Sequence, residues 1–244
     1  MNYYFLQNTL NKKIKGFYPQ VKDVKYYCHI WDTPNFMGNI HFEKFPSNVI
    51  LATPILDKKS NLTDLIEIWH VGFNLKLLLS GKLKNILEKY IDTKLGEFIN
   101  CPIIKEGVEY TDYWIFNGYS FNQEYIDFQN SLIKYEKHAD DFETTYNTKI
   151  IFLSLGSFKE FEDYVNIAQE KAELITIEKL VLKEDKIKED FFMLNYVFGG
   201  KYFISEKLKQ EIEDAGCTGI EFQPSYLSLN EWLHSEREKV YGKA

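Results

Sequence analysis

The stretch YFISEKLKQEIEDAGCTGIEF, residues 202–222, carries the signals of a complete strand–helix–strand unit. Residues 202–204 are aromatic or β-branched, a composition typical of a buried strand. Ser205 follows at the position of a helix N-cap, where its hydroxyl can accept a hydrogen bond from a backbone N–H that has no partner within the helix. The stretch therefore predicts a strand that passes directly into a helix.

The helix of this unit is predicted to bury one face. Leu208, Ile212 and Ala215 recur at i, i+4 and i+7 and form an apolar stripe on an otherwise charged helix, which suits packing on a sheet. Gly216 and Gly219 can adopt positive φ where the helix ends and the chain turns back. A second strand is predicted to follow them.

The same pattern occurs a second time, at residues 77–98, LLLSGKLKNILEKYIDTKLGEF. Placing Ser80 on Ser205 brings five further positions into register. They are Lys82 with Lys207, Leu83 with Leu208, Lys84 with Lys209, Leu87 with Ile212, and Glu88 with Glu213. Two copies are too few for a solenoid, so they predict two related α+β halves. The alternative is that common helix physics alone made the two segments similar.

Length and composition predict a sheet-rich globular protein. The 244 residues are 45% hydrophobic and 16% aromatic, which is sufficient for a large core. Because aromatic residues favour strands, we expect an α+β fold with mixed, mostly antiparallel sheets, flanking helices and the two related strand–Ser–helix units. Two halves, residues 1–133 and 148–244, are expected to meet at a polar, irregular segment, 134–147, within one compact two-lobed domain.

Shorter segments give local predictions. VKYYCHI at residues 24–30 predicts a strand, and LTDLIEIWH at 62–70 predicts a short helix. Residues 98–128 alternate around the turn KEG and predict a hairpin of aromatic strands. Ser157, with a glutamate three residues later, predicts a helix that starts with a capping box.

The net charge limits the class of partner. A formal net charge of −7 argues against a nucleic-acid partner, because phosphate contacts need a basic surface. The acidic residues gather in clusters, which are usually solvated faces but can also attract a basic partner and speed its association.

No motif for catalysis, cofactor binding or metal binding is present in the sequence. The three cysteines lack CxxC spacing, and the five histidines include no HExxH pair. The sequence therefore predicts no catalytic residues, no cofactor and no metal. The first residues do not have the pattern of a signal peptide, and no apolar run reaches membrane-spanning length, so we expect a cytoplasmic protein without a membrane partner.

Six segments of the sequence resemble segments of one protein family. Their order and spacing are more specific to that family than any single segment is. They are YYFLQN, PNFMGNIHFEKFP, LTDLIE, LLLSGKLKNILEKY, the hairpin CPIIKEGVEYTDYWIF that ends in YIDFQNS, and YFISEKLKQEIEDAGCTGIEF. Together they resemble the immunity protein 43 family, which is similar to the wider DUF1629 group of immunity proteins from bacterial polymorphic-toxin systems. The resemblance covers residues 3–222. It implies a cytosolic protein that binds and neutralises a cognate toxin, and it brings no catalytic residues.

Two other functions stay open at this point. One is a binding or regulatory module whose partner is not a toxin. The other is a small enzyme with an unrecognised site, which a deep polar pocket holding His29, Asp32 or His70 would favour.

The C-terminal segment after Pro224 lies outside the resemblance. Its residues 227–241 predict an amphipathic helix, with Leu229, Trp232, Leu233 and either Glu236 or Val240 on one side. The role of this tail is left open.

A toxin-binding surface is expected to combine charged residues at its rim with aromatic anchors at its centre. The candidate anchors are Phe36 in the loop DTPNFMGN, and Tyr113, Tyr119, Phe121 and Tyr125 in and after the hairpin. The candidate acidic residues are Asp140, Asp141, Glu143, Glu160, Glu162 and Asp163. These acidic clusters predict a basic toxin. The alternative interpretation is that the aromatic residues form the core of the sheets.

Overall fold

The computed structural model describes residues 2–138 and 148–243. Its strands, in chain order, are β1 (Tyr3–Asn8), β2 (Val21–Lys25), β3 (Thr53–Leu56), β4 (Leu65–Ile66), β5 (Leu77–Ser80), β6 (Gly96–Asn100), β7 (Ile103–Lys105), β8 (Val108–Tyr110), β9 (Tyr113–Gly118), β10 (Leu132–His138), β11 (Thr148–Leu153), β12 (Leu174–Lys179), β13 (Phe191–Met193), β14 (Tyr202–Ser205) and β15 (Ile220–Pro224). Its helices are α1 (Lys12–Lys15), α2 (Gly81–Leu87), α3 (Phe158–Glu170), α4 (Glu206–Asp214), α5 (Leu229–Glu231) and α6 (Arg237–Tyr241). A π-helical segment, Trp232–Glu236, joins the last two helices.

The strands form four sheets. The first has the spatial order β4-β5-β9-β6 and the second β13-β14-β1-β15, and both are antiparallel throughout. The third, β2-β3-β7-β8, contains one parallel pairing between β3 and β7, and the fourth, β11-β10-β12, is antiparallel. The predicted α+β class with mixed, mostly antiparallel sheets is confirmed.

The first two sheets are built in the same way. In each sheet, the strand in the second spatial position is followed by a serine cap and a helix. After the helix, the chain forms the strand in the fourth position, and a strand from elsewhere in the sequence lies between the two. Ser80 accepts a hydrogen bond from the Leu83 N–H at 3.3 Å, and Ser205 accepts one from the Leu208 N–H at 3.2 Å. The predicted similarity of the two strand–Ser–helix units therefore extends to the strand order of a whole sheet.

Each unit also contains an aspartate that sequence analysis did not identify, Asp64 in the first and Asp190 in the second. The contacts are Ser80 Oγ to Asp64 Oδ1 at 2.6 Å, Lys82 Nζ to Asp64 Oδ2 at 3.1 Å, Ser205 Oγ to Asp190 Oδ1 at 2.5 Å, and Lys207 Nζ to Asp190 Oδ2 at 2.9 Å. Burial alone would raise the pKa of each carboxyl, but the hydrogen bonds from serine and lysine outweigh it and lower the pKa of both. The aspartate thus ties the first strand of each sheet to the start of its helix.

Replacing Ser205 with alanine is expected to lower the free energy of unfolding by about 1 to 2 kcal/mol, because the helix loses its cap and Asp190 loses a hydrogen bond. Urea denaturation of the wild type and the variant measures this loss. The Ser80→Ala variant is the matched control, and it is expected to lose less because Ser80 is only half-buried. An unchanged midpoint for Ser205→Ala would contradict the structural role.

The helices α2 and α4 pack into one core between the first two sheets. Leu208 and Ile212 of α4 are fully buried there, together with Leu83 and Leu87 of α2. Ala215, in contrast, is exposed at the C-cap of α4, so the apolar stripe is shorter than predicted.

Two local predictions are wrong. Residues 62–70 contain strand β4 and no helix, because the Asp64 carbonyl accepts a hydrogen bond from the Ser80 N–H and Leu65 donates one to Thr218. The strand predicted at residues 24–30 lies earlier, at β2, and pairs with β3 as far as its last residue. In both segments long-range backbone pairing determines the structure.

The N-terminal strand links the two predicted halves. β1 is an inner strand of the second sheet, between β14 and β15, although it belongs by sequence to the first half. Residues 134–138 belong to β10 and are not irregular, while the rest of the predicted seam, 139–147, lies outside the described residues. The division into residues 1–133 and 148–244 stays a prediction.

The C-terminal tail packs on β15, one of the two edge strands of the second sheet. Arg237 donates from Nε and Nη2 to the two carboxylate oxygens of Glu221, both at 2.6 Å, and both side chains are buried. Trp232 is also buried, whereas Leu233 and Val240 are exposed, which differs from the predicted apolar side. The π-helical segment explains the difference, since it adds a residue to the turn and places Arg237 on the inner face with Trp232.

Candidate functional site

Helix α3 starts at a serine cap and exposes an acidic face. Ser157 accepts a hydrogen bond from the Glu160 N–H at 3.2 Å, as predicted, while the Glu160 carboxylate accepts from Gly156 at 2.8 Å and not from Ser157. Its buried residues are Phe161, Val165 and Ala168. They pack with the fourth sheet, so the remaining face of α3 is directed to solvent.

A cleft of about 270 Å³ lies at the border between the buried and the exposed face of α3, and we call it the α3 cleft. It is lined by Phe121, Gln123, Phe158, Phe161, Glu162, Val165, Asn166, Gln169, Asn195 and Tyr196. Phe161 and Tyr196 meet edge to face with ring centroids 5.6 Å apart and contribute an aromatic floor. Asn166, Gln169 and Glu162 are exposed, and they supply hydrogen-bonding groups around that floor.

Three of the five predicted aromatic anchors are buried. Phe36 is completely buried in the core beside the third sheet, and its predicted exposure is wrong because its ring packs edge to face on Tyr26. Tyr113 is buried and donates its hydroxyl to the Thr63 carbonyl at 3.1 Å. Tyr125 is buried against Phe192. These three residues are part of the core, as the alternative interpretation predicted.

The other two predicted anchors are half-buried and line surface clefts. Phe121 contributes to the α3 cleft. Tyr119 lines a second cleft beside β6, where its hydroxyl donates to the Thr93 carbonyl at 2.7 Å. Phe121 and Tyr119 therefore remain available to a partner, at two separate places.

Three of the predicted acidic residues lie together on α3. Glu160, Glu162 and Asp163 are all exposed, and Glu162 also lines the α3 cleft. Lys159 lies 3.3 Å from Glu162 and 3.0 Å from Asp163, which partly neutralises the cluster. The remaining three predicted acidic residues, Asp140, Asp141 and Glu143, lie outside the described residues. The structure thus brings Phe121 and Glu162 to one cleft.

Comparison with protein-family models matches residues 2–226 to the immunity protein family Imm11. The chain belongs to the Imm11 immunity protein family. This match confirms the predicted membership of an immunity protein family; the matching model is Imm11, whereas the sequence resemblance was drawn to immunity protein 43. No curated protein matches the chain.

Two exposed tryptophans of this Imm11 protein were missed by sequence analysis. Trp31 and Trp69 are each 69% exposed, and Tyr27 is 56% exposed. Their loops are tied together by a hydrogen bond of 3.3 Å from the Tyr26 hydroxyl to the Val71 carbonyl. Tryptophan is enriched at the centres of protein interfaces. The exposure of Trp31 could have been predicted from its position beside the turn-forming residues DTPN. Trp69 gave no such indication, because its segment was predicted to be a helix, which does not form.

A deep polar pocket around His29 or Asp32, which would have favoured an enzyme, is not found at these two residues. His29 and Asp32 form a pair with Nδ1 and Oδ2 2.9 Å apart, and their side chains are 68% and 81% exposed, so they do not lie in a deep pocket. Within residues 2–138 and 148–243, no group of three or more His, Cys, Asp or Glu side chains could hold a metal ion. No helix in the same described ranges is long and apolar enough to cross a membrane.

Proposed function

We propose that this Imm11 protein acts in the cytoplasm, where it binds a cognate bacterial toxin and neutralises it by covering a surface of the toxin, without catalysis. Membership of an immunity protein family supports a toxin as the partner. The observation that carries the choice of surface is the α3 cleft, because it joins an aromatic floor to an acidic helix face.

The chemistry of the α3 cleft suits a basic, partly apolar segment of a partner. Phe158 is 42% exposed at the cleft and can be covered on binding, which is the behaviour expected of an interface anchor. Glu162 also lines the cleft and Asp163 is the next residue of the same helix; both are exposed and can pair with lysine or arginine side chains. The same acidic groups would attract such a segment from a distance. We therefore propose that the toxin is basic where it meets α3.

Association between this chain and the toxin is expected to slow as salt rises. Exposed charges are screened beyond about 10 Å at 0.1 M ionic strength, so the contribution of the α3 carboxylates to the encounter rate falls. Stopped-flow measurements at low and high salt give the rate. The double variant Glu162→Lys/Asp163→Lys is expected to associate more slowly and to show a weaker salt dependence.

The matched control is Glu106→Lys/Glu109→Lys, which makes the same change of charge at two exposed positions in the hairpin of β7 and β8, in the third sheet. It is expected to retain nearly the wild-type rate. Binding by the wild type at a rate that does not respond to salt would remove α3 from the proposal. Equal slowing by Glu106→Lys/Glu109→Lys would show a general effect of net charge and no specific surface.

A further inference from the structure

Two lysines, Lys76 and Lys201, are held close together next to aromatic rings. The Tyr202 hydroxyl donates a hydrogen bond of 2.6 Å to the Leu75 carbonyl, which joins the chain segments that carry them. Lys201 Nζ lies 4.8 Å from the ring centroid of Tyr202, and Lys76 Nζ lies 5.5 Å from that of Phe45. The two segments come from opposite sequence halves, so the pair exists only in the folded chain.

Neither lysine has an opposite charge to balance it. Lys201 Nζ is buried and has no hydrogen-bond partner, and neither lysine forms a salt bridge with any residue that the structure describes. Burial lowers the pKa of Lys76 to about 8, and burial together with the charge of Lys76 lowers the pKa of Lys201 to about 7. Contacts with aromatic rings offset only part of the cost of removing an ammonium group from water. The lysine pair is therefore electrostatically incomplete.

The surface around the lysine pair is apolar and strained. Phe42 is 43% exposed and Leu75 52% exposed, although both are large apolar residues. Both have positive φ, 56° and 64°, a conformation that is costly for residues other than glycine and is concentrated at functional sites. The Phe42 ring packs on that of Phe121, with centroids 5.3 Å apart, and Phe121 also lies 5.8 Å from Lys201 Nζ. Leu75 is the residue before Lys76, and Phe42 reaches Lys201 through Phe121, so both exposed apolar side chains lie near the pair.

We propose that Lys76 and Lys201 receive the carboxylate of an aspartate or glutamate side chain of the toxin, while Phe42 and Leu75 are covered by the surrounding toxin surface. A carboxylate has two oxygens that can each accept a hydrogen bond from an ammonium group, so one side chain satisfies both lysines. A free small anion would leave the two exposed apolar residues uncovered, which favours a protein as the source of the carboxylate. The inference rests on the proposed function, since it assumes that the partner is a toxin.

The variants Lys76→Met and Lys201→Met test this site, because methionine keeps the unbranched shape and removes the charge. In the free protein, urea denaturation is expected to show unchanged or higher stability for both variants, since each removes a buried charge without a partner. Binding to a candidate toxin domain, sought among the genes beside this one and measured by calorimetry with the full chain, is expected to weaken by about 30-fold or more, the range for removing one partner of a buried charged pair. Lys22→Met, at an exposed position of β2, is the control and is expected to bind like the wild type.

The outcomes separate this inference from the proposed function. Failure of the wild type to bind the toxin domain would overturn the proposed function and this inference with it. Wild-type binding with unchanged affinity in Lys76→Met and Lys201→Met would overturn this inference alone. Loss of stability in both variants would show a structural role for the lysines and would also overturn it.

Two further arms identify the source of the anion. Substituting each surface Asp and Glu of the toxin by Asn or Gln is expected to reveal one position whose effect on affinity disappears in the Lys201→Met background. Acetate and phosphate are expected to change the melting temperature of the wild type no more than they change that of Lys201→Met. A selective rise with either anion, without any coupled toxin position, would assign the pair to a small-molecule ligand and contradict the proposal.

Discussion

Replacing Arg237 with methionine is expected to lower the free energy of unfolding by about 3 to 5 kcal/mol, because it leaves the Glu221 carboxylate buried without a counter-charge. The loss of stability is expected to be large because Glu221 is also held by other contacts. Its Oε1 atom accepts hydrogen bonds from the Thr9 hydroxyl and the Leu10 N–H. The ion pair therefore joins three parts of the chain: the tail, β15 and the segment after β1. Chemical denaturation measures the loss.

The double variant Arg237→Met/Glu221→Gln is the matched control. A glutamine can still accept the hydrogen bonds from Thr9 and Leu10, but it carries no charge that needs a partner. Most of the lost stability is therefore expected to return in the double variant. A loss below about 1 kcal/mol in the single variant would mean that the tail is not part of the folded unit.

Truncating Leu208 or Ile212 to alanine is expected to cost about 2 to 5 kcal/mol in each case, because both side chains are fully buried between the first two sheets. The loss comes from the apolar contact removed and from the cavity left behind. Gln210→Ala, an exposed position on the same helix, is the control and is expected to change stability by less than about 0.5 kcal/mol. Equal midpoints for all three variants would place α4 outside the core.

The success of the sequence predictions for these units has a local cause. A serine cap, an i, i+4 apolar pair and a glycine stop all act within a few residues, so the starts of α2 and α4 could be predicted. Asp64 and Asp190 could not be assigned in the same way, because each reaches its serine across 16 and 15 residues of chain. The short pattern of an aspartate before an apolar strand, TDLI and EDFF, is visible only once the two units are compared.

The candidate surface could be predicted only in part. Glu160, Glu162 and Asp163 lie on a helix whose cap and apolar face fix their exposure, so the sequence located them correctly at the surface. Aromatic residues have no such local rule, since a strand with two covered faces buries both alternating sets of side chains. Tyr113 was for this reason misplaced, and the exposed Trp31 was overlooked. Lys76 and Lys201 come together only through the tertiary fold.

Neutralisation of a toxin by binding is the function that we propose for this chain. It is tested most directly by the growth of cells that express a candidate toxin domain, sought among the genes beside this one, with and without this chain, combined with gel filtration of the two purified proteins. Growth is expected to be restored, and the two proteins are expected to elute together as a stable complex. Continued growth arrest at equal expression, together with separate elution, would contradict neutralisation by binding.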